Sequence, residues 1–226
     1  PKLFTKRYYE MSPAQQRVYD SVEGEFMAWL DSGELVTAPL AITRMLRLQQ
    51  VLCGYIPVDG EEEPRELIEK DKNPRLKVLR DTMEDVNGKT IIWATWTRDI
   101  DMIMEMLKGI GRNPVRYDGT VSDDDRERAK QALKHGDATD FVANSQMSEG
   151  LTLNEAKTTI YYNNRYKLID RLQTEDRNHR IGQSDHVTYI DLVCPGTRDE
   201  NAIDALVAKL EVASVIMGDK QKGWIG

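Results

Sequence analysis

Residues 90–107 read Thr-Ile-Ile-Trp-Ala-Thr-Trp-Thr-Arg-Asp-Ile-Asp-Met-Ile-Met-Glu-Met-Leu. Thr90 to Thr95 is a short apolar run of buried-strand length. From Arg98 the period changes, because Ile100, Ile103, Met104 and Leu107 recur on one stripe and predict a helix over 98–108. A strand feeding directly into an amphipathic helix is half of a βαβ unit. The chain repeats that pattern downstream, with strands expected at 115–117, 140–143, 158–162 and 187–193 and helices at 122–135 and 168–178. Such alternation implies an α/β fold with a mainly parallel sheet covered on both faces by helices. Met102, Met104 and Met106 fall within the helix and are read as packing, not as a cofactor box.

Upstream, Asn73-Pro74 begins a helix expected to stop at Gly88. Residues 4–11 are strand-like. Ser12-Pro13 then opens a helix, with Gln15 completing a capping box, Val18, Val22, Phe26 and Leu30 at helical spacing, and Gly33 as the stop. A second helix is expected from Leu40 to Cys53, ended by Gly54. Residues 55–72 read as an exposed loop whose acidic run, Asp59 to Glu63, is a solvated tip without chemistry. A last helix, about Glu200 to Met217, packs back on the core, and 220–226 form a frayed tail. The organisation expected is a connecting strand and helical protrusion over 1–72, the α/β lobe over 73–198, and a terminal helix and tail over 199–226.

The 226 residues are 40% apolar and 31% charged, with a net charge of −7. No apolar run approaches the ~20 residues of a helical membrane span, so that class is excluded. Cys53 and Cys194 stand in apolar contexts and are expected as reduced, buried thiols; three histidines without a Cys-x-x-Cys give no metal site. An acidic chain that touches DNA must do so through a local patch or as half of a larger clamp. Pro1-Lys2-Leu3-Phe4 lacks an initiator Met and a signal pattern, as expected of a piece excised from a longer chain.

Phosphate chemistry is suggested at residues 173–183, Gln-Thr-Glu-Asp-Arg-Asn-His-Arg-Ile-Gly-Gln. Arg177 and Arg180, three apart, share one face of a helix. Each guanidinium can donate two parallel hydrogen bonds to phosphate oxygens. The whole string resembles the last conserved helicase motif of Swi/Snf-type ATPases, the DNA translocases that include chromatin remodellers. The resemblance extends along nearly the whole chain. Lys89–Leu107 is similar to the family's fourth motif, with the turn Ala94-Thr95-Trp96-Thr97. Tyr117-Asp118-Gly119-Thr120 followed by Ser122–Lys130 is similar to its Asp-Gly-Ser segment and basic helix. There Arg126, Arg128 and Lys130 are read equally as a solvated face or as phosphate contacts. Ser148-Glu149-Gly150-Leu151-Thr152-Leu153 resembles the fifth motif, which couples DNA contact to the ATP site. The chain departs by carrying Met147-Ser148 where the family has two glycines, Thr152 where Asn is common, and Asn163-Asn164-Arg165-Tyr166-Lys167-Leu168 for Asp-Pro-x-Trp-Asn-Pro. Tyr166 is expected in the Trp slot.

Two look-alikes are set aside. Gly88-Lys89-Thr90 imitates a P-loop end, but Met83 stands where the first Gly belongs and the tripeptide precedes a strand. Asp199-Glu200 imitates a metal-binding box but follows a Pro-Gly loop and suits a helix N-terminus. The resemblance therefore implies only the second, C-terminal RecA-like lobe of a two-lobe motor. By that resemblance a first lobe of the same polypeptide holds ATP and Mg²⁺, Arg180 is an arginine finger, Arg177 a second phosphate contact, and Gln173 helps position the site. Asp176 is expected in a structural ion pair. Glu149 and Gly150 are nucleotide-proximal. Thr97, Arg98, Ser148, Leu151, Thr152, Arg165 and Lys167 face the backbone of double-stranded DNA. The fragment is expected to be monomeric and inactive alone, and its short helical insertions suggest a compact bacterial or phage member, cytoplasmic or nucleoid-associated. Two other readings stay open. One is a strand-separating superfamily 2 helicase or RNA-directed ATPase, against which Arg-Ile-Gly-Gln, in place of Arg-x-Gly-Arg, argues. The other is a non-catalytic RecA-like binding module, which the acidic charge and the lost glycines favour slightly.

Overall fold

The computed structural model describes residues 2–31, 38–178 and 186–217. In chain order the elements are β1 (Lys2–Tyr8), α1 (Pro13–Asp31), α2 (Ala38–Cys53), β2 (Tyr55–Ile56), β3 (Arg65–Glu66), α3 (Pro74–Asp85), β4 (Thr90–Ala94) and α4 (Thr97–Gly109). They continue with β5 (Pro114–Tyr117), α5 (Asp123–His135), β6 (Asp140–Asn144), β7 (Thr158–Tyr161), α6 (Leu168–Glu175), β8 (Val187–Val193) and α7 (Arg198–Met217).

Six strands form one sheet in the order β1-β8-β7-β4-β6-β5, and every pairing in it is parallel. β4 lies inside the sheet, where Ile92 aligns with Val142 on one side and Ile160 on the other. All five of its residues are buried. Their alternation feeds two cores. Ile92 and Ala94 join Leu79, Ile103, Met106 and Leu107 from α3 and α4. Ile91 and Trp93 join Leu133, Phe141 and Tyr189 under α5. A strand covered on both faces reads as an unbroken apolar run, which is why its sequence shows no polar alternation. Met102 and Met106 are buried in the first core and Met104 packs at its margin, as packing residues.

The helical unit is tied to this sheet by caps. Ser12 and Gln15 exchange the expected reciprocal bonds, Ser12 N–H to Gln15 Oε1 (3.1 Å) and Gln15 N–H to Ser12 Oγ (3.2 Å). Gln15 Nε2 also donates to Val51 O and Leu52 O at the end of α2 (3.0 and 3.3 Å). Asn73 caps α3 by accepting from the Arg75 and Leu76 amides, and its Nδ2 donates to Cys53 O at 2.7 Å. Gly54 turns the chain between these elements at φ 100°.

Several boundaries differ from expectation. β1 comes from the segment expected to connect, yet it is an edge strand of the sheet, in register with β8 from Lys2 against Val187. The 55–72 loop contains the antiparallel pair β2–β3. α3 ends at Asp85 instead of running to Gly88, since Val86 is already extended. α6 ends at Glu175, and Asp176 is its C-cap. Lys89, in the string set aside as a P-loop look-alike, caps α5: its Nζ donates to Leu133 O and to Gly136 O at the C-terminal end of that helix. Cys53 and Cys194 are buried, unpaired thiols. Gly33, His179, the Arg180–Gln183 string and the 220–226 tail lie outside the described residues.

Candidate functional site

Because the sheet is parallel, the turns after β4, β6 and β7 all open on the edge where strands end, which is where open α/β sheets place their sites. The turn after β4 is held at its backbone. Thr95 N–H donates to Asn163 Oδ1 (2.8 Å), and Thr95 O accepts from Asn144 Nδ2 (2.9 Å). Asn144 Oδ1 also accepts from the Gln146 amide, which orders the short 3-10 turn Ser145–Met147. Asn163 Nδ2 donates to Asp99 Oδ2 (2.6 Å), and Tyr55 OH donates to Asp99 Oδ1 (3.2 Å). Burial pushes the Asp99 carboxyl up to about 6, against the opposing pull of Arg75 and of the bonds from Asn163, Tyr55 and Cys53.

The turn after β6 carries Gly150 at φ +74°. A Cβ there would meet nothing within 4 Å, so glycine serves the left-handed backbone and not a close approach within this chain. Ser148 is 1% exposed, and its hydroxyl has no hydrogen-bond partner among the described residues. Leu151 is 2% exposed and sits in the second core. Its side chain anchors the turn inward and its carbonyl accepts from Arg177, so of the residues expected on the DNA side Leu151 is the one that turns its side chain into the core. Glu149 is exposed and Thr152 half-buried.

Arg177 brackets this turn against the end of α6. Its Nε donates to Gln173 O (2.7 Å) and its Nη1 to Leu151 O (3.1 Å), while its own carbonyl accepts from the Leu153 amide (2.8 Å). The two sequence stretches singled out separately, 148–153 and 173–177, are therefore one unit. Arg177 spends donors on carbonyls within it. Gln173 takes part through its backbone. Asp176 pairs with Lys2 of β1 at 3.8 Å, an ion pair of the expected structural kind. Arg180 lies outside the described residues.

The expected DNA-side cations are all partly neutralised. Arg98, on the first turn of α4, meets Glu66 (2.5 Å) and Glu63 (3.4 Å) and lies over the Tyr55 ring. The end of the acidic run expected as a free tip thus lies against a half-buried basic residue, Glu63 within the run and Glu66 just beyond it both reaching Arg98. Thr97 stays exposed. Arg165 and Lys167 share Asp170, at 3.9 and 3.1 Å. Arg126, Arg128 and Lys130 each pair with an acid three residues earlier, Asp123, Asp125 and Glu127. The half-buried Tyr166 donates its hydroxyl to Arg198 O (3.2 Å) at the start of α7.

Two buried arginines escaped the sequence reading. Arg171 bonds Asp191 (2.6 and 3.1 Å), Glu175 (2.8 Å) and Asn164 (2.7 Å), and its guanidinium lies 3.5 Å from the centre of the Tyr161 ring. Arg75 bonds Tyr162 O (2.7 Å), Tyr9 and Asp199. Asp199 does sit at a helix N-terminus as expected, but its carboxylate is buried there as the partner of Arg75. A signal for the first existed: Asp191 is the one ionisable carboxyl inside the mostly apolar strand Val187–Val193, and such a group needs a partner. Among the described residues no group of three or more His, Cys, Asp or Glu side chains is placed to hold a metal ion.

Residues 72–182 match the model of the helicase conserved C-terminal domain. That stretch, 111 residues and just under half of the chain, is similar to helicase C-terminal domains. Schizosaccharomyces pombe ATP-dependent helicase fft2 is 31% identical over 127 residues, 55% of this chain and 10% of that protein. Further relatives are named chromatin-remodeling ATPases, at 25–26% identity. Among solved structures, the C-terminal part of the Fun30 ATPase domain aligns with a TM-score of 0.72 at 17% identity, covering 91% of this chain and 89% of that one. The Sulfolobus solfataricus SWI2/SNF2 ATPase core in complex with dsDNA aligns with a TM-score of 0.71 at 21% identity, over 96% of this chain and 47% of that one. Both likenesses establish the RecA-like fold of the lobe. The chain spans between 9% and 23% of the length of the curated relatives it matches. Those relatives are eukaryotic and give the expectation of a bacterial or phage source no support.

Proposed function

We propose that this lobe is the second half of an ATP-driven double-stranded DNA translocase, completing a nucleotide site whose phosphate grip lies on a first lobe. The observation that carries this reading is the Arg177 bracket. It joins the Gly150 turn to the end of α6, so that a movement of one is transmitted to the other. In this reading Arg180, three residues beyond Arg177, donates to the γ-phosphoryl oxygens as charge develops there, an interaction typically worth about 10³–10⁵ in turnover. Arg177 serves chiefly to fix the geometry of Arg180 and the Gly150 turn, with Gln173 supplying its carbonyl. ATP and Mg²⁺ are held by the first lobe, and bound nucleotide supplies the phosphoryl chemistry. The turns at 97–98, 148–152 and 165–167 track a duplex backbone, contacts that carry no base sequence. The printed title of the Sulfolobus relative, a core in complex with dsDNA, supports duplex DNA as the ligand.

Pairing of Arg98 with Glu66 favours, as a second reading, a RecA-like binding module with little DNA affinity. ATP turnover by the purified 226-residue chain, with and without duplex DNA, tests the half-site. The first reading expects none above background in either condition; robust turnover by the chain alone would overturn it.

A further inference from the structure

One buried carboxyl dictates how the turn after β4 is held. Asp99 is 0% exposed and Asn163 and Tyr55 are each 3% exposed. An ionised Asp99 can only accept hydrogen bonds, so Asn163 must present its NH₂ to Asp99 and its oxygen to the Thr95 amide, the arrangement observed at 2.6 and 2.8 Å. A protonated Asp99 can donate. A proton on Oδ2, the oxygen that faces Asn163, opposes the Asn163 NH₂; turning the amide over relieves that contact but sets NH₂ against the Thr95 N–H. There donor meets donor, and the hold on the turn is lost.

We propose that Asp99 and Asn163 are positioning residues that together form a proton-operated latch on the Thr95–Arg98 turn, closed when Asp99 is ionised and released when it is protonated. The latch deepens the proposed function in one respect only: it takes that turn to face DNA.

The geometry confines the switching to one group. Asp99 is faced by the Cys53 thiol from α2, Tyr55 from β2, Arg75 from α3, and Tyr162 and Asn163 from the turn after β7. Burial pushes the thiol and both phenols up, so they stay neutral, and Arg75 is engaged with Asp199 and Tyr9. With its own carboxyl at about 6, Asp99 is the member of this group that changes charge near neutrality. The same linkage reaches further, because Asn144 holds the opposite side of Thr95 and begins the 3-10 turn that leads to Gly150.

The test uses the ¹⁵N-labelled 226-residue chain, following the Thr95 backbone amide and the Asn163 side-chain amide from pH 5 to 7.5. The latch predicts a shared inflection near pH 6 in the wild type. Asp99→Asn, an isosteric change that removes a buried charge, should abolish it. Asn163→Ala should leave the Asp99 carboxyl titrating, by its ¹³C shift, while Thr95 no longer responds. A flat wild-type Thr95 amide, an inflection that survives in Asp99→Asn, or a Thr95 response that survives in Asn163→Ala would overturn the latch. Duplex DNA affinity of the same proteins separates this idea from the functional one. Relative to Asp99→Asn, the wild type should lose about tenfold in affinity between pH 7.5 and 5.5, the value of one hydrogen bond. Inflections as predicted with identical DNA affinities would uphold the latch and sink the assignment of the turn to DNA.

Discussion

Arg171 shows what a single residue can hide. In sequence it is one cation on an amphipathic helix; in the structure it is the buried counter-ion of Asp191 and Glu175. The pairing joins α6 to β8, and no short-range pattern could reveal which acid it meets. Removing one partner of a buried pair leaves the other charge uncompensated, so Arg171→Ala should destabilise the chain by roughly 3–5 kcal/mol, read as a shift in the urea midpoint. Arg171→Met, paired with Asp191→Leu, should recover only part of that loss, because Glu175 then keeps Lys2 but loses its buried partner. Asp99 makes a prediction with a definite sign. Its carboxyl is raised in the fold, from 3.8 to about 6, so the folded state binds its proton more tightly than the unfolded state. The stabilisation is full below the unfolded value and is lost as pH rises through about 6, on the order of 3 kcal/mol in all. Denaturation at pH 4.5 and 7.5 should show this loss in the wild type, and Asp99→Asn should remove it.

At the scale of elements, the sequence was most legible where packing and local chemistry agree. Thr90–Ala94, the Ser12 capping box and the Asn73-Pro74 helix start were all readable, because an apolar run or a cap is a local signal. Ends set by tertiary contacts were not. α6 stops at Glu175 because Arg177 turns back to the 148–153 segment, a contact 26 residues away in sequence. The β2–β3 pair was invisible, since two-residue strands carry no period, and its acidic approach to Arg98 follows only from the folded geometry. That approach is testable. If the hairpin competes with phosphate for Arg98, Glu63→Gln together with Glu66→Gln should tighten duplex DNA binding by a few-fold at low ionic strength. The gain should vanish at about 0.5 M salt, where exposed charges are screened. Unchanged affinity at low salt would mean that Arg98 does not touch DNA.

For the molecule as a whole, alternation of strand and helix was enough to name the α/β class and the parallel sheet, while the order β1-β8-β7-β4-β6-β5 was not readable. β1 reaches its place beside β8 by pairing across the entire chain, and nothing local marks that choice. The site was legible as three separate strings. Their assembly was not, because it depends on Asn144, Asn163 and Arg177 acting at the shared edge of the sheet. In the function proposed above the lobe is half of an active site, whose decisive group is an arginine offered to a nucleotide held elsewhere. The most direct measurement is DNA-stimulated ATP turnover by the two-lobe polypeptide carrying Arg180→Ala, beside the wild type. A loss of about 10³-fold or more with ATP binding retained is the predicted result, and turnover near the wild-type rate would contradict the account.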